Sequence, residues 1–253
     1  MGAVSPYRTI LFARDGAIAR VTLNRPERLN AYDMEMRDDL YTALSAVRDD
    51  PSLRVVLLAG RGRAFCSGGD VREFGSAPSP VVAREVRWRR DVWGLLHSLP
   101  QLTIAAVHGH AAGSGMEMAL LCDFRIAAAN AVFSLPETAL GMIPGVVGTQ
   151  TAPRMIGLGR ALSMVLAGAT IDAREARRIG MVGAVVPAER FAREADRLAR
   201  SLAEIDGRLA AATKELVIRG LDLPLEAALA RERRVAARVG RVGSGGRERE
   251  GSR

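Results

Sequence analysis

Lysine is almost absent from this sequence. Lys214 is the only lysine among 36 basic residues, although the net charge is +8. Arginine in place of lysine throughout is typical of the codon usage of a GC-rich genome, and these arginines are spread along the chain rather than gathered into one basic patch. We therefore expect no nucleic-acid partner, although the pI near 10.7 leaves RNA binding open as an alternative.

Cysteines and long apolar runs are also scarce. Cys66 and Cys122 are too few for a disulfide framework, and their spacing fits no metal site, so we expect two buried thiols and no metal. No segment approaches the length needed to span a bilayer, and the N-terminal residues lack an apolar stretch of signal-peptide length. These absences predict a cytoplasmic protein without a membrane partner. The 48% of apolar residues in 253 can bury the core of one large domain, or of one domain with an appendage.

The most informative stretch is TIAAVHGHAAGSGMEMALLCD, residues 103–123. Its first five residues predict a buried strand, and the glycines that follow predict a turn into an apolar helix. Free N–H groups at a helix start can hold an anion or an oxyanion, here around Ser114. Glu117 lies one helical turn further on the same face and adds a carboxylate. Taken alone, this stretch is best explained by a glycine-rich turn beside a solvated glutamate, and a phosphate site would explain it as well as a catalytic site would.

Two further stretches favour a catalytic site. The apolar run 54–59 predicts a strand that leads into the loop RGRAFCSGGDVREF, where Gly68, Gly69 and Asp70 precede a predicted helix and offer a second set of N–H groups. In the stretch PETALGMIPGVVGTQ, Glu137 follows a predicted strand and precedes a loop rich in glycine and proline. Such loops are where a rigid scaffold carries functional groups.

The remaining pattern predicts mixed strands and helices followed by an all-helical region. Residues 84–99 are predicted to form one amphipathic helix, with Trp88, Val92, Leu95 and Leu99 on its apolar stripe. The tryptophans Trp88 and Trp93 are open to two interpretations, as pocket lining or as packing residues. We predict a core over residues 1–190, a helical domain over 191–240 and a disordered tail over 241–253.

Five segments of the chain resemble, in order and spacing, those of the crotonase superfamily, the enoyl-CoA hydratase/isomerase family. The resemblance covers roughly residues 20–238. The segments are NRPERLNAYD, AFCSGGDVREF, GHAAGSGMEMALLCDFRIA, SLPETALGMIPGVVGTQ and GATIDAREARRIGMVGAVVP.

The resemblance implies a fold, an assembly and a ligand. The fold is of the α/β class, a spiral of β-β-α repeats with a C-terminal helical trimerisation domain, and the assembly is a homotrimer or homohexamer. The ligand is an acyl-CoA thioester, so coenzyme A is part of the substrate and no separate cofactor is expected. The thioester oxygen of relatives is held by two backbone N–H groups, which match Gly69 and Ser114, where most relatives have glycine at the second position. CoA contacts map to Ser67, Gly68, Asp70, Val71 and Arg72, with Arg28 as a further candidate for a phosphate contact.

The reaction implied is hydration of a 2-enoyl thioester. Family members that hydrate carry two glutamates, which match Glu117 and Glu137, and both are present. An isomerase or another CoA-dependent lyase with the same oxyanion hole is the alternative, whereas a dienoyl isomerase would need an aspartate where this chain has Gly145. A relative that binds RNA is a third reading. The chain departs from many relatives in its last helix, which there closes over the CoA pocket. Here the sequence becomes RVGRVGSGGREREGSR, so CoA is held less tightly or the tail orders only in the oligomer.

If the positive charge is only a surface property, RNA binding should be weak and should vanish as salt rises. Phosphate contacts release counterions, so an affinity made of them falls steeply with log[salt]. A gel-shift titration at about 50 mM and about 200 mM salt measures this slope. Sequence-selective binding that persists at the higher salt would contradict the expectation.

Overall fold

The computed structural model describes residues 6–243. Its strands in this range are β1 (Ile10–Asp15), β2 (Ile18–Leu23), β3 (Val55–Gly60), β4 (Leu102–Val107), β5 (His110–Ala112), β6 (Phe124–Ala128), β7 (Val132–Ser134), β8 (Ile171–Asp172) and β9 (Ala184–Val186). Its α-helices are α1 (Met34–Asp49), α2 (Pro80–Arg89), α3 (Val92–Ser98), α4 (Ser114–Leu121), α5 (Gly148–Ile156), α6 (Leu158–Leu166), α7 (Ala173–Arg178), α8 (Ala188–Ala203), α9 (Gly207–Gly220) and α10 (Leu225–Gly243). Short 3₁₀ helices lie at Pro26–Arg28, Val71–Glu73 and Glu137–Leu140.

The strands form two sheets. The larger has the order β1-β2-β3-β4-β6-β9, in which β1 pairs antiparallel to β2 and all other pairs are parallel. The smaller has the order β5-β7-β8, with β5 and β7 parallel. A parallel sheet needs cover on both faces, which explains why β3 and β4 are apolar at successive positions. The α/β class predicted from the sequence is therefore confirmed.

Each face of the larger sheet packs against its own layer of helices. Val56 and Leu58 of β3 face a core that includes residues of α1, α3 and α4. Val55 and Leu57, which alternate with them, face a second core that includes residues of α8 and α9. Helices α8 and α9 thus cover the sheet face opposite to α4. The boundary near residue 190 between a core and a helical oligomerisation domain stays a prediction.

The single amphipathic helix predicted over residues 84–99 is wrong in two respects: the segment contains two helices, and Trp88 of its predicted apolar stripe is exposed. Residues 84–99 do not form one helix, because α2 ends at Arg89 and α3 starts at Val92. Asp91 causes the restart, since its side chain accepts a hydrogen bond from the N–H of Gly94 and caps α3. The break turns Trp88 outward, where it is 71% exposed. Trp93 lies in α3 instead, half-buried, with its ring centroid 4.9 Å from that of Tyr32.

Other expectations differ in detail. The short strand β5 comes between the glycine turn and α4, and the helix predicted after Asp70 is only the three-residue 3₁₀ helix at Val71–Glu73. Both cysteines are buried as predicted, and burial raises the pKa of Cys66 to about 11. Of the tail predicted to be disordered, residues 241–243 end α10, whereas 244–253 lie outside the described residues. No helix within residues 6–243 is long and apolar enough to cross a membrane.

The only lysine joins α9 to the sheet. Nζ of Lys214 lies 2.8 Å from Oδ2 of Asp123 and donates to the carbonyl of Gln101 at 3.0 Å. Oδ2 of Asp123 also accepts from the N–H and the hydroxyl of Thr103, at the start of β4. The side chains of Lys214 and Asp123 are 9% and 13% exposed. This ion pair is therefore largely desolvated, and removing either partner would lower the free energy of unfolding.

Lys214→Met should destabilise the fold while conserving most of the side-chain volume. The substitution leaves the carboxylate of Asp123 buried without its cation, which costs about 3 kcal/mol, the low end for a broken buried pair, because Thr103 still donates two hydrogen bonds. Urea unfolding measures the change. The double variant Lys214→Met with Asp123→Asn removes the charge and should recover most of the loss. Equal stability of Lys214→Met and wild type would show that the pair does not hold α9.

Candidate active site

The site lies where three short parallel segments run side by side. β5 pairs with β7, placing Ala111 opposite Phe133, and on its other side Ala111 forms a parallel bridge with Cys66. Parallel segments send their following residues toward the same edge, so the loops that continue from these three segments lie next to one another. Those loops carry the predicted site residues Gly69, Ser114 and Glu137.

Gly69 is held by the backbone of Tyr32. The N–H of Tyr32 donates to the carbonyl of Gly68, and its carbonyl accepts from the N–H of Asp70, both at 2.8 Å. These bonds use the groups on either side of Gly69, whose own N–H has no acceptor within residues 6–243. A Cβ on Gly69 would lie 3.0 Å from Cζ of Phe74, so a larger residue would have to push this ring aside. The half-buried N–H of Gly69 is the first donor that the site offers to a ligand.

Ser114 supplies a second donor at the start of α4. Gly113 precedes it with φ +48° and ψ −124°, a conformation that only glycine adopts without strain. A Cβ on Gly113 would also lie 2.7 Å from Oε1 of Glu137. The N–H of Ser114 is the first of the helix and has no acceptor in the described part of the chain. It lies at the positive end of the α4 dipole, which favours a negatively charged ligand atom.

Glu117 is a buried carboxylate fixed by three backbone donors. Its side chain is 1% exposed, and Oε1 accepts hydrogen bonds from the N–H groups of Val146, Val147 and Gly148 at 3.2, 2.8 and 2.7 Å. A Cβ on Gly148 would lie 3.0 Å from this oxygen, so glycine allows the close approach. Three donors on one oxygen favour negative charge on the Glu117 carboxylate.

Glu137 has a different environment. It begins the 3₁₀ helix at Glu137–Leu140 and is half-buried, and its Oε2 is buried without a hydrogen-bond partner among residues 6–243. Burial, with a smaller contribution from the negative charge of Glu117, raises the pKa of Glu137. Desolvation and a nearby like charge both favour the protonated form. The two glutamates therefore differ in their tendency to hold a proton, as an acid and a base at one site must.

Three of the predicted binding residues line the entrance to the first loop. Ser67 donates from its hydroxyl to the carbonyl of Arg28 at 3.4 Å, so these two residues adjoin. The Arg28 side chain is exposed and can reach solvent. Gly68 is buried with φ +105°, and a Cβ there would lie 3.1 Å from the carbonyl oxygen of Ala112, which ties this loop to β5.

The other three predicted binding residues, Asp70, Val71 and Arg72, differ in how far their side chains are exposed to a ligand. The carboxylate of Asp70 is only 6% exposed because Arg72 and Arg25 both bind it, and these hydrogen bonds, Arg72's first, lower the pKa of Asp70. This carboxylate is therefore occupied within the protein, and the backbone of Asp70 is occupied as well, because its N–H donates to the carbonyl of Tyr32 and its carbonyl accepts from the N–H of Glu73. Arg72 is 55% exposed on its side chain, and Val71 is 64% exposed, so both present surface beside the loop.

Sequence reasoning missed the groups that hold the site in place. The three N–H donors to Glu117 lie 29 to 31 residues after it, a separation that carries no local signal. The only hint was the glycine and proline content of the loop after Glu137. The contact of Arg25 with Asp70 was missed as well, because 45 residues separate them.

Comparison with known proteins gives one consistent family. Residues 13–245 match the family model described as enoyl-CoA hydratase/isomerase. A protein of Mycobacterium bovis named probable enoyl-CoA hydratase is 37% identical over 229 residues, which cover 90% of this chain and 88% of the relative. The crystal structure of an enoyl-CoA hydratase from Bacillus anthracis is similar with a TM-score of 0.86 at 33% identity, covering 91% of this chain and 90% of that one. A Thermobifida fusca structure described as a "putative enoyl-CoA hydratase" in complex with CoA has a TM-score of 0.86 at 31% identity, covering 93% of this chain and 95% of that one.

The raised pKa of Glu137 predicts a pH-dependent difference in stability between wild type and Glu137→Gln. The folded protein binds this proton more tightly than the unfolded chain does. The resulting stabilisation is present below the unfolded value of about 4.3 and is lost as the pH rises through the folded pKa. Glu137→Gln has no titrating carboxyl at this position, so its free energy of unfolding does not fall in this way as the pH rises. Its free energy of unfolding, relative to wild type, should therefore increase from about pH 4 to about pH 8 in urea titrations.

Glu175→Gln is the matched control for that experiment. A hydrogen bond from Arg178 lowers the pKa of Glu175, so wild type gains this stabilisation as the pH rises through the folded pKa to the unfolded value of about 4.3, and the titration of this variant must extend below about pH 4. The variant-minus-wild-type difference should then change in the opposite direction. The same slope in both variants, or a flat line for Glu137→Gln, would contradict the assignment of Glu137 as the carboxyl that retains its proton.

Proposed function

The chain belongs to the enoyl-CoA hydratase/isomerase family, and from that premise we propose that it adds water across the 2,3 double bond of an enoyl-CoA thioester. One observation carries the proposal. Glu117, held by three N–H donors, and Glu137, buried with an unpaired oxygen, accompany two N–H groups that have no acceptor within the described residues. A hydration needs an oxyanion site, a base and an acid around one water, and this arrangement supplies all of them.

The two backbone donors act on the thioester carbonyl. When water adds to C3, electron density moves onto the carbonyl oxygen and an enolate develops. The N–H groups of Gly69 and Ser114 stabilise that charge, and each such donor is typically worth about 2.7–4 kcal/mol of barrier. The Gly69 donor lies between two backbone hydrogen bonds to Tyr32, and the Ser114 donor follows Gly113, whose N–H is bound to the carbonyl of Ser134, so both need little reorganisation as the charge forms.

The glutamates move the protons. Glu117 orients the water and takes a proton from it as the water oxygen bonds to C3. Glu137, whose burial raises its pKa, delivers a proton to C2 as the enolate collapses. Water thus adds as a hydroxyl at C3 and a hydrogen at C2, and the thioester is otherwise unchanged. Because the two carboxyl groups interact, they titrate as a coupled pair around the same water.

The ligand and the assembly follow the same proposal. The addition of water is a redox-neutral reaction, so it uses no cofactor beyond the CoA that the substrate carries. CoA lies along the first loop, near Ser67, Val71 and the exposed side chains of Arg72 and Arg28. We also propose a homotrimer or homohexamer. Support comes from α6, which exposes leucines at helical spacing, a face that a second copy would cover: Leu158, Leu162 and Leu166.

Glu137→Gln should lower the hydration rate by roughly 10²–10⁴ while leaving acyl-CoA affinity almost unchanged. Glutamine keeps the shape of the side chain but cannot deliver a proton, and the oxyanion donors are untouched. Glu117→Gln should fall by a similar factor, since its amide oxygen can still accept the three N–H bonds but cannot act as a base. Loss of the conjugated enoyl absorbance gives kcat and KM, and calorimetry with an unreactive acyl-CoA gives the affinity.

The double variant is the control for cooperation between the glutamates. Residues that act on one water are strongly non-additive, so its loss should be much smaller than the product of the two single losses. Hydration at the wild-type rate by Glu137→Gln, with Glu117→Gln inactive, would contradict the two-acid mechanism. A reaction that needs one acid, such as movement of the double bond, would then replace it.

A further inference from the structure

We propose that Arg25 is a positioning residue that holds the N–H of Gly69 in place for the thioester oxygen. The inference rests on the proposed function, because Gly69 matters only if its N–H binds an oxyanion. Arg25 itself touches no substrate. It acts through the two carboxylates and the backbone segment that surround the loop of Gly69.

The guanidinium of Arg25 is at the centre of a nearly buried ion cluster. Its Nη2 lies 2.9 Å from Oδ2 of Asp33 and 3.2 Å from Oδ2 of Asp70, and its Nη1 donates to the carbonyl of Ala31. The side chains of Arg25, Asp33 and Asp70 are 13%, 12% and 6% exposed. A planar guanidinium can serve three acceptors from one fixed position, which a lysine cannot do.

The two carboxylates belong to the two segments that pair at Gly69. Oδ1 of Asp33 accepts from the N–H of Met36 and caps α1, so Asp33 fixes the segment that contains Tyr32. Asp70 caps the 3₁₀ helix that follows Gly69. Between them run the two backbone bonds of Tyr32 that flank Gly69. Arg25 therefore clamps both sides of the short pairing that orients the Gly69 N–H.

The charges make this clamp necessary. Two carboxylates that share one nitrogen donor repel each other when that donor is removed, and burial prevents water from screening the repulsion. Arg72 also binds Asp70, but its side chain is 55% exposed and binds neither Asp33 nor the backbone of Ala31. Without Arg25 the two segments should separate by a fraction of an ångström or more, and a misplacement of about 1 Å can cost about 10²-fold in rate.

Four variants test the inference. Arg25→Met should lower kcat about 10²-fold with a much smaller change in KM, because the oxyanion donor matters most in the transition state. Arg25→Lys should lose less, since one ammonium keeps the charge but not all three contacts. Arg25→Met with Asp33→Asn restores the net charge of the cluster, and asparagine still caps α1. Arg61→Met is the control, because Arg61 is exposed and its side chain hydrogen-bonds only Asn24 among residues 6–243.

The decisive readout is the enolate of bound acetoacetyl-CoA. An oxyanion hole favours this enolate, which absorbs in the near ultraviolet, and its formation does not require the hydration step. The bound enolate fraction should fall about 10- to 100-fold in Arg25→Met and stay unchanged in Arg61→Met. Arg25→Met with Asp33→Asn should regain its unfolding midpoint but not its kcat or enolate signal, because charge balance returns without the clamp.

The outcomes separate this inference from the proposed function. Wild-type enolate absorbance that persists in Arg25→Met, or full recovery of kcat together with stability in the double variant, would overturn the positioning role and leave the hydratase proposal intact. If Arg25→Met does not fold, Arg25→Lys and the double variant decide the question by the same readouts. A wild-type protein that gives no enolate signal and hydrates no enoyl-CoA would instead overturn the proposed function.

Discussion

The parallel backbone pairing of Cys66 with Ala111, and of Ala111 with Phe133, determines where every functional group of the site lies. Each of these segments continues into a loop that carries one group, so the hydrogen bonds of a short sheet bring together residues that are far apart in sequence. A side chain at Gly115 would disrupt this arrangement. A Cβ on Gly115 would lie 2.3 Å from the carbonyl oxygen of Cys66, so α4 can pack against the first loop only because glycine stands there.

Backbone N–H dipoles stabilise negative charge in the candidate site, although the chain contains 36 lysines and arginines. Glu117 is compensated by three N–H groups, and the oxyanion that we propose would be compensated by two more. Fixed N–H dipoles cannot rotate away or bring water with them, which suits a charge that exists only during the reaction. The buried arginine nearby, Arg25, binds Asp33 and Asp70 and so supports the loop instead of facing the substrate.

Much of the fold and the residues of the candidate site can be predicted from the sequence, whereas the contacts that hold these residues in place cannot. Apolar runs and glycine turns predict β3, β4 and α4 because these signals are local. The break at Asp91, which turns Trp88 outward, was missed because one capping residue outweighs a continuous apolar stripe. The N–H donors to Glu117 depend on tertiary packing across about 30 residues, so no periodicity reveals them. The pairing of Arg25 with Asp70 is hidden for the same reason.

The central claim is that water adds to C3 of an enoyl thioester at the two glutamates. The most direct test is the mass of the CoA product formed from crotonyl-CoA in water labelled with ¹⁸O. We expect a product heavier than the substrate by one molecule of labelled water, with the label in the hydroxyl group at C3. A product of unchanged mass, or no turnover by the folded protein, would contradict the claim.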